Sequence, residues 1–488
     1  GVTLFAAEPD VINPSAFTID EQGRVWVLEC YEYPKRTPPG KMPRDRIKVL
    51  EDTDGDGRAD KATVWAEGSN FPVRFDLASG LEVGYGGVFV GAPPYLFFLR
   101  DRNQDSRCDH YEILLQGFGS QDTHETLNTF QWGPDGRLYG LHGVFTVSEV
   151  QGQRLDAAVW RYDVRSKRFE VFAEGTSNPW GMDFDTEGNC FLVCCVIPHL
   201  FHIVPGGIYI KQSHKPSYHP YAYGQLREIS DHLHHQESGW AHAGLLYLDG
   251  PTVPRAMRGS LIMGSIHGSS IKRDILKRQG STFVASHAPD LLVSGDRNVR
   301  PINLRWAPDG SIYWIDWHDQ NPCHQAHPDS WDYSRGRIYR LAPKGLRPQR
   351  ATNLAALNVR QLADLLVYDD NPYRYRTALR LLAERRSLTD AETVEYLRGL
   401  ALSPQGDIRS LRALWGLQAL AALDTNTKHR LLGHPYAAVR AWTVRFLSEQ
   451  TEWSDEDIRI LQQLSQGEPV ASVRLEIACA LRRIRHGQ

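Results

Sequence analysis

Pro134-Asp-Gly-Arg-Leu-Tyr-Gly-Leu141 joins a glycine turn to a short β-rich run, and variants of this phrase recur throughout the first 345 residues. They are Glu21-Gln-Gly-Arg-Val-Trp-Val-Leu28, Val83-Gly-Tyr-Gly-Gly-Val-Phe-Val90, Thr186-Glu-Gly-Asn-Cys-Phe-Leu-Val193, Pro308-Asp-Gly-Ser-Ile-Tyr-Trp-Ile315 and, more loosely, Arg258-Gly-Ser-Leu-Ile-Met-Gly264. Their turn glycines (Gly23, Gly86, Gly136, Gly188, Gly259, Gly310) are spaced by about 50 to 70 residues. That interval suits one four-stranded sheet per repeat, and six such sheets around an axis make a six-bladed β-propeller. A β-sandwich also uses Asp-Gly turns, but six repeats over 345 residues favour the propeller.

The composition changes near residue 345, from Gly, Trp, Tyr and His to Leu, Ala and Arg. The expected organisation is therefore a mainly β propeller over 1–345 and an all-α HEAT-like repeat domain over 346–488. Four segments of the second part carry an arginine within an apolar helical pattern: Arg376, Arg412, Arg440 and Arg474, which lie 36, 28 and 34 residues apart. Proline near a helix start and apolar residues at 3.6 spacing predict two helices per unit. Such a stack suits protein docking rather than chemistry.

Across 488 residues, 55 Lys+Arg stand against 58 Asp+Glu, a net charge of −3. Binding to nucleic acid through phosphate neutralisation has no support in that balance. No run of about 18 apolar residues occurs, so no transmembrane helix is expected. The seven cysteines lack zinc-type C-x-x-C and haem-type C-x-x-C-H spacing. Vicinal Cys194 and Cys195 read as two thiols in a strand rather than a strained disulfide.

Two acidic loops have the spacing of a calcium site. Asp52, Asp54, Asp56 and Asp60 occupy positions 1, 3, 5 and 9 with Gly57 at 6, and Thr63 stands at position 12. Asp101, Asn103, Asp105 and Asp109 repeat the pattern, with Ser106 in the glycine place and Glu112 at position 12. Hard Ca²⁺ favours several oxygens converging from one short turn; Asx-rich hairpin turns use the same residues. Histidine is the other signal. His124, His142, His199, His202, His242 and His267 fall beside glycines, in loops or at strand ends of different repeats. Loops at one end of a propeller converge on its axis, so histidines distant in sequence can share a pocket.

Several long phrases together resemble the membrane-bound dehydrogenase family of planctomycete and verrucomicrobial bacteria: Glu8-Pro-Asp-Val-Ile-Asn-Pro14, Leu50-Glu-Asp-Thr-Asp-Gly-Asp-Gly-Arg-Ala-Asp-Lys61, Gly117-Phe-Gly-Ser-Gln-Asp-Thr-His-Glu125, Trp132 to Thr146, Glu174-Gly-Thr-Ser-Asn-Pro-Trp-Gly181, Cys195-Val-Ile-Pro-His-Leu-Phe-His202 and Gly336-Arg-Ile-Tyr-Arg340. That family implies a six-bladed propeller, HEAT-like helices and then a cytochrome c domain; no haem-attachment C-x-x-C-H falls within residues 1–488. It also implies an exported protein of the periplasm or cell envelope, and the calcium-type loops agree.

More distantly, the first part is similar to the soluble quinoprotein sugar dehydrogenases, which use pyrroloquinoline quinone (PQQ) and Ca²⁺. By that resemblance His124 is the general base, one residue further from its Gly-Pro-Asp turn than usual, and Asn178 contacts cofactor and substrate. Ca²⁺ beside the quinone falls near Ile197 and Pro198, displaced by one. Trp240 matches a pocket tryptophan, and His242 replaces a threonine. In the cationic cofactor clamp, His267 stands at the lysine position, Arg300 is kept, and Ile302 replaces the second arginine; Arg297 and Arg305 lie close enough in sequence to substitute. Asp122, His142, Trp180, His199, His202 and Arg305 complete the pocket candidates.

The expected function is an oxidoreductase that oxidises a sugar or related alcohol by base-assisted hydride transfer to a quinone-type cofactor, with electrons passed to a cytochrome c. Two other readings stand beside it. One is a propeller enzyme with a histidine-bound transition metal, acting as a lactonase-type hydrolase or a metal oxidase. The other is a non-catalytic platform that binds glycan or protein.

Overall fold

The computed structural model of the chain describes residues 1–213, 217–218, 225–232, 241–323, 330–450 and 453–485. Six sheets form a closed ring: each innermost strand touches that of the next blade, and the sixth touches the first. The innermost strands are Pro14–Ile19, Gly80–Gly84, Asn128–Trp132, Asn178–Phe184, His242–Tyr247 and Pro301–Trp306, in blade order. The six repeated glycines all lie between the innermost and second strands, at φ from 72° to 81°. Only a residue without Cβ takes that conformation at no cost, which is why the repeat is written in glycine.

Blades one, two and five are four-stranded antiparallel sheets. Blade six is completed by the first strand, Val2–Ala7, paired antiparallel with Arg337–Leu341. The ring thereby closes without an exposed joining edge. Blades three and four depart from the expected four strands each. Blade four keeps three strands, ending at Leu200–Ile203, while Ile208–Lys211 crosses to pair in parallel with Arg168–Thr176 of blade three. The Val204-Pro205-Gly206-Gly207 turn redirects the chain: Pro205 has no N–H for a ladder, and Gly206 adopts a φ of 70°.

Five of the six innermost strands carry a register shift near their start, at Pro14/Ala16, Asn128/Gln131, Pro179/Met182, Ala243/Leu245 and Ile302/Leu304. Such bulges bend a strand and re-aim its side chains. They also bring neighbouring backbones close. A Cβ on Gly244, at a φ of 81°, would lie 2.5 Å from the amide nitrogen of Asn303 in the next blade.

Eight α-helices follow among the described residues. Pro372–Glu384, Ile408–Ala419, Ala437–Ser448 and Ala471–Arg485 pack successively in one row. Asn and Asp side chains cap several starts, as Asn371 does before Pro372 and Asp407 before Ile408. The four repeated arginines tie the row to its loops and to the propeller. Arg376 binds Asp183 at 2.6 Å and donates to the Phe184 carbonyl, and Arg412 donates to the Asp369 carbonyl. Arg440 binds Glu468 at 2.6 Å, and Arg474 donates to the Glu468 and Pro469 carbonyls.

The helices lie across the glycine-turn end of the propeller. Trp442 packs over Gly188 and its indole N–H donates to the Glu187 carbonyl at 2.7 Å. Tyr373 donates to the Asp20 carbonyl, and Arg380 binds Glu21 at 2.6 Å. One apolar core runs from Phe17, Ile262 and Trp314 of the propeller into Leu362, Leu382 and Leu414 of the helices.

Candidate active site

At the opposite end, the starts of the innermost strands surround a cavity to which all six blades contribute. Asn13, Ser79, Thr126, Asn178, His242 and Ile302 line it, one from each blade or the loop leading into it. His124, Glu125, Trp180, Cys195, Trp317 and Tyr33 form much of the remaining wall.

His124 sits in the loop leading into blade three, with its side chain 26% exposed. Its Nδ1 lies 2.7 Å from Asp122 Oδ1, and the same carboxylate oxygen accepts the His124 backbone N–H at 3.0 Å. With Nδ1–H donated to Asp122, Nε2 is the basic nitrogen of the ring. The Tyr33 ring stands edge-on to His124 at 5.7 Å and also meets Trp317 and Trp331 at 5.2 Å.

Glu125 was not among the candidates read from sequence, although it adjoins His124 in the quoted Gly117–Glu125 phrase. Enclosure in the cavity wall holds its carboxyl well above the ordinary carboxylate range, and the neighbouring Asp122 charge pushes the same way. Burial thus favours its protonated form. Its Oε1 accepts the Cys195 thiol at 3.6 Å. Cys30 and Cys323 also reach the cavity. Burial pushes the Cys323 thiol up to about 11 and Cys195 well above the ordinary thiol range, so both stay protonated. All seven cysteines are free thiols.

The other sequence candidates divide by location. Asn178, Trp180 and His242 share the cavity with His124. Asn178 Oδ1 accepts the Val144 N–H at 3.1 Å, and the Trp180 indole donates to Asn303. His267 stands behind the wall, its Nε2 3.2 Å from Cys323 Sγ. Trp240 lies outside the described residues.

His142 is fully buried inside blade three, against Ser148 Oγ and the Gly143 carbonyl, and burial lowers its pKa to about 4. His202 is enclosed beside Phe191 and Phe283, where burial lowers it to about 3. His199 pairs with Asp274 at 2.8 Å. Ile197 packs against the blade-four core, and the Pro198 carbonyl accepts the Cys194 thiol. Arg305 opens toward the helix end, with Glu82 at 3.3 Å and the Phe130 carbonyl at 2.5 Å.

The kept clamp residue Arg300 is buried; its two terminal nitrogens donate to the Ile266, Val299 and Gln320 carbonyls and the Ser269 hydroxyl, while its Nε makes no hydrogen bond among the described residues. Arg297 is exposed. No Lys or Arg lines the cavity among the described residues. Among the described residues, therefore, no Lys or Arg is placed to meet the carboxylates of a group such as PQQ.

The two acidic loops are remote hairpin connections. Asp52 accepts the N–H groups of Gly55, Asp56 and Gly57, Asp54 accepts a second bond from Asp56, and Asp56 accepts from Arg58. Asp60 accepts from Thr53, and carboxyl oxygens of Asp52, Asp54 and Asp60 come within 4.8 Å of one another. In the second loop Asp101 accepts from Asp105 and Ser106, Asn103 accepts from Asp105, and Asp109 accepts from Arg102. Glu112 pairs with Lys167 at 3.2 Å.

The fold has similar solved structures. A Thermus thermophilus oxidoreductase described as a glucose dehydrogenase is 18% identical, with a TM-score of 0.49 over 70% of this chain and 99% of that one. The PQQ-bound aldose sugar dehydrogenase of Streptomyces coelicolor is 13% identical, with a TM-score of 0.41 over 70% and 98%. The apo-form soluble aldose sugar dehydrogenase of Escherichia coli is also 13% identical, with a TM-score of 0.38 over 70% and 99%. No curated protein matches the sequence. No helix among the described residues is long and apolar enough to cross a membrane. Residues 1–345, the span of the whole propeller, match the model of a family described as a domain of unknown function, DUF7133, and the chain belongs to that family.

Proposed function

We propose that the six-blade cavity is the active site of an oxidoreductase acting on an uncharged sugar or related alcohol. The observation that carries this reading is the Asp122–His124 pair, 2.7 Å apart, on a cavity wall that holds no Lys or Arg among the described residues. Asp122 fixes the imidazole, and His124 Nε2 would take the proton of the substrate hydroxyl while hydride passes from its carbon to the quinone-type acceptor that the motif resemblance implies. Glu125, whose protonated form burial favours, would supply a hydrogen-bond donor to a substrate oxygen, as an enclosed carboxylic acid can. Tyr33, Trp180 and Trp317 offer apolar faces to a sugar ring.

The resemblance of the motifs adds a quinone-type acceptor, a cytochrome c as the onward electron carrier and an exported location. Calcium belongs, in the same proposal, to the Asp52 and Asp101 loops as a brace for surface turns. PQQ itself would have to find its cations beyond the described lining.

The test is a dye-linked oxidation assay of the full chain against neutral aldoses and polyols and their carboxylated counterparts, with and without added PQQ and Ca²⁺. Neutral substrates should be oxidised, and His124→Gln should lower kcat by ~10²–10⁴-fold with the fold intact. Absence of oxidation of every neutral substrate under all conditions would overturn the proposal.

A further inference from the structure

Outside the cavity, the seam between blades four and five gathers a second set of titratable side chains. His199 precedes the third strand of blade four, His232 lies in the connection into blade five, and Asp274 sits in that blade's third strand, Ser270–Gln279. Asp274 is fully buried and the His199 side chain is 2% exposed. Asp274 Oδ2 lies 2.8 Å from His199 Nε2, while its Oδ1 lies 3.3 Å from His232 Nε2. One donor atom from each of the three falls within 4.8 Å of the others.

The second layer is also in place. Asp231 Oδ1 holds His232 Nδ1 at 2.9 Å, which fixes the ring with Nε2 toward Asp274. A carboxylate on the far nitrogen of a ligating imidazole is the usual orienting partner at metal sites. His242 stacks on His199 with ring centroids 4.5 Å apart, and His287, the cross-strand partner of Asp274, has its ring 5.6 Å from that of His232.

From this geometry we infer a binding site for a divalent first-row transition metal of the zinc class, with His199 Nε2, His232 Nε2 and the Asp274 carboxylate as its protein ligands. Metal–nitrogen and metal–oxygen bonds of ~2.1 Å place tetrahedral ligand atoms about 3.4 Å apart, against the 2.8 and 3.3 Å that separate the two histidine nitrogens from the two oxygens of Asp274. Because the ligands come from two blades and their connection, the ion would also cross-link the seam. His242 both lines the main cavity and stacks on a ligand, so the ion would sit one imidazole behind the cavity wall. This site stands independently of the dehydrogenase reading.

The experiment is titration of the metal-stripped full chain with Co²⁺, read by visible ligand-field absorption, followed by competition with Zn²⁺. The expected result is one equivalent of Co²⁺ with four- or five-coordinate absorption, displaced by Zn²⁺. His232→Ala and Asp274→Asn should each weaken uptake by at least ~10²-fold, above the effect typical of losing an outer-layer partner. His232 is the least buried ligand, so its variant carries the test if Asp274→Asn fails to fold as judged by circular dichroism. Absence of stoichiometric Co²⁺ uptake, or uptake unchanged by a folded His232→Ala variant, would overturn the inference, whether or not the protein oxidises sugars.

Discussion

At the turn end of the propeller, Arg161 is 1% exposed and holds Asp135, Glu170 and Glu449 at 2.6–2.8 Å, while Arg137 and Arg483 close around the same carboxylates. At the cavity end, Asn13, Leu77, Thr129, Ala241 and Asn303 take φ between 44° and 59°, beside the starts of the innermost strands. The first region joins propeller to helices through paired charges. The second holds non-glycine residues in a left-handed conformation that costs on the order of 1–3 kcal/mol each. Burial raises the Glu125 carboxyl there, whereas at the turn end the Arg161, Arg137 and Arg483 charges overcome burial and hold Glu449 well below the ordinary range. Glu125 and Glu449 are thus pushed in opposite directions, and for this pair the difference is the arginine cluster around Glu449.

The strongest way to break this comparison is Arg161→Met. It leaves three carboxylates around a site that has lost its central cation, and should cost ~3–5 kcal/mol of stability by denaturant unfolding. A loss below ~1 kcal/mol would show that the network does not carry the interface.

Acid sharpens the contrast next. His142 and His202 are held neutral to about pH 4 and 3, while an unfolded histidine binds its proton near 6.5. The unfolded state therefore takes up more protons below pH 6.5, and stability falls as pH drops through that window. Each imidazole contributes a slope of up to ~1.4 kcal/mol per pH unit. Urea midpoints between pH 7 and 4.5 should show the decline, and a His142→Gln variant should flatten it.

At the cavity end the expected stability change is smaller still. His124→Gln should leave unfolding within ~0.5 kcal/mol, as for a partly exposed residue outside the core, while removing turnover. An equal loss of stability and activity would erase the distinction between the two ends. On the proposal that the Asp52 loop binds calcium, tenfold excess over Kd should raise unfolding stability by about 1.4 kcal/mol, a gain that denaturant midpoints should show to be absent in Asp52→Asn.

The blade count was legible because its signal is steric: a left-handed turn between the first two strands selects glycine six times. The strand that leaves blade four for blade three was not, since Ile208–Lys211 reads as a strand wherever it pairs. Within the site, His124, Asn178, Trp180 and His242 mark the starts or approaches of innermost strands, and position in the repeat is what brings them together. His142 and His202 carry the same residue type one or two strands further out, where the side chain points into a blade. Glu125 and Cys195 were hidden for a different reason: their chemistry arises from enclosure, which no local pattern encodes. The arginine spacing after residue 345 marked the helical row, but not that its partners would include the propeller's own turns.

Blade six carries a temporal consequence. The backbone link from Gly1 to Ala342 spans 341 positions. During synthesis at ~5–20 residues per second, Val2–Ala7 therefore waits about 17–70 s for its partner strand to emerge. Until then the nascent ring is open, with the flanks of blades one and five uncovered and the turn-end surface bare of helices. Interruption before residue 337 would release a chain lacking its closing strand, and such a chain would pair with other chains or be degraded.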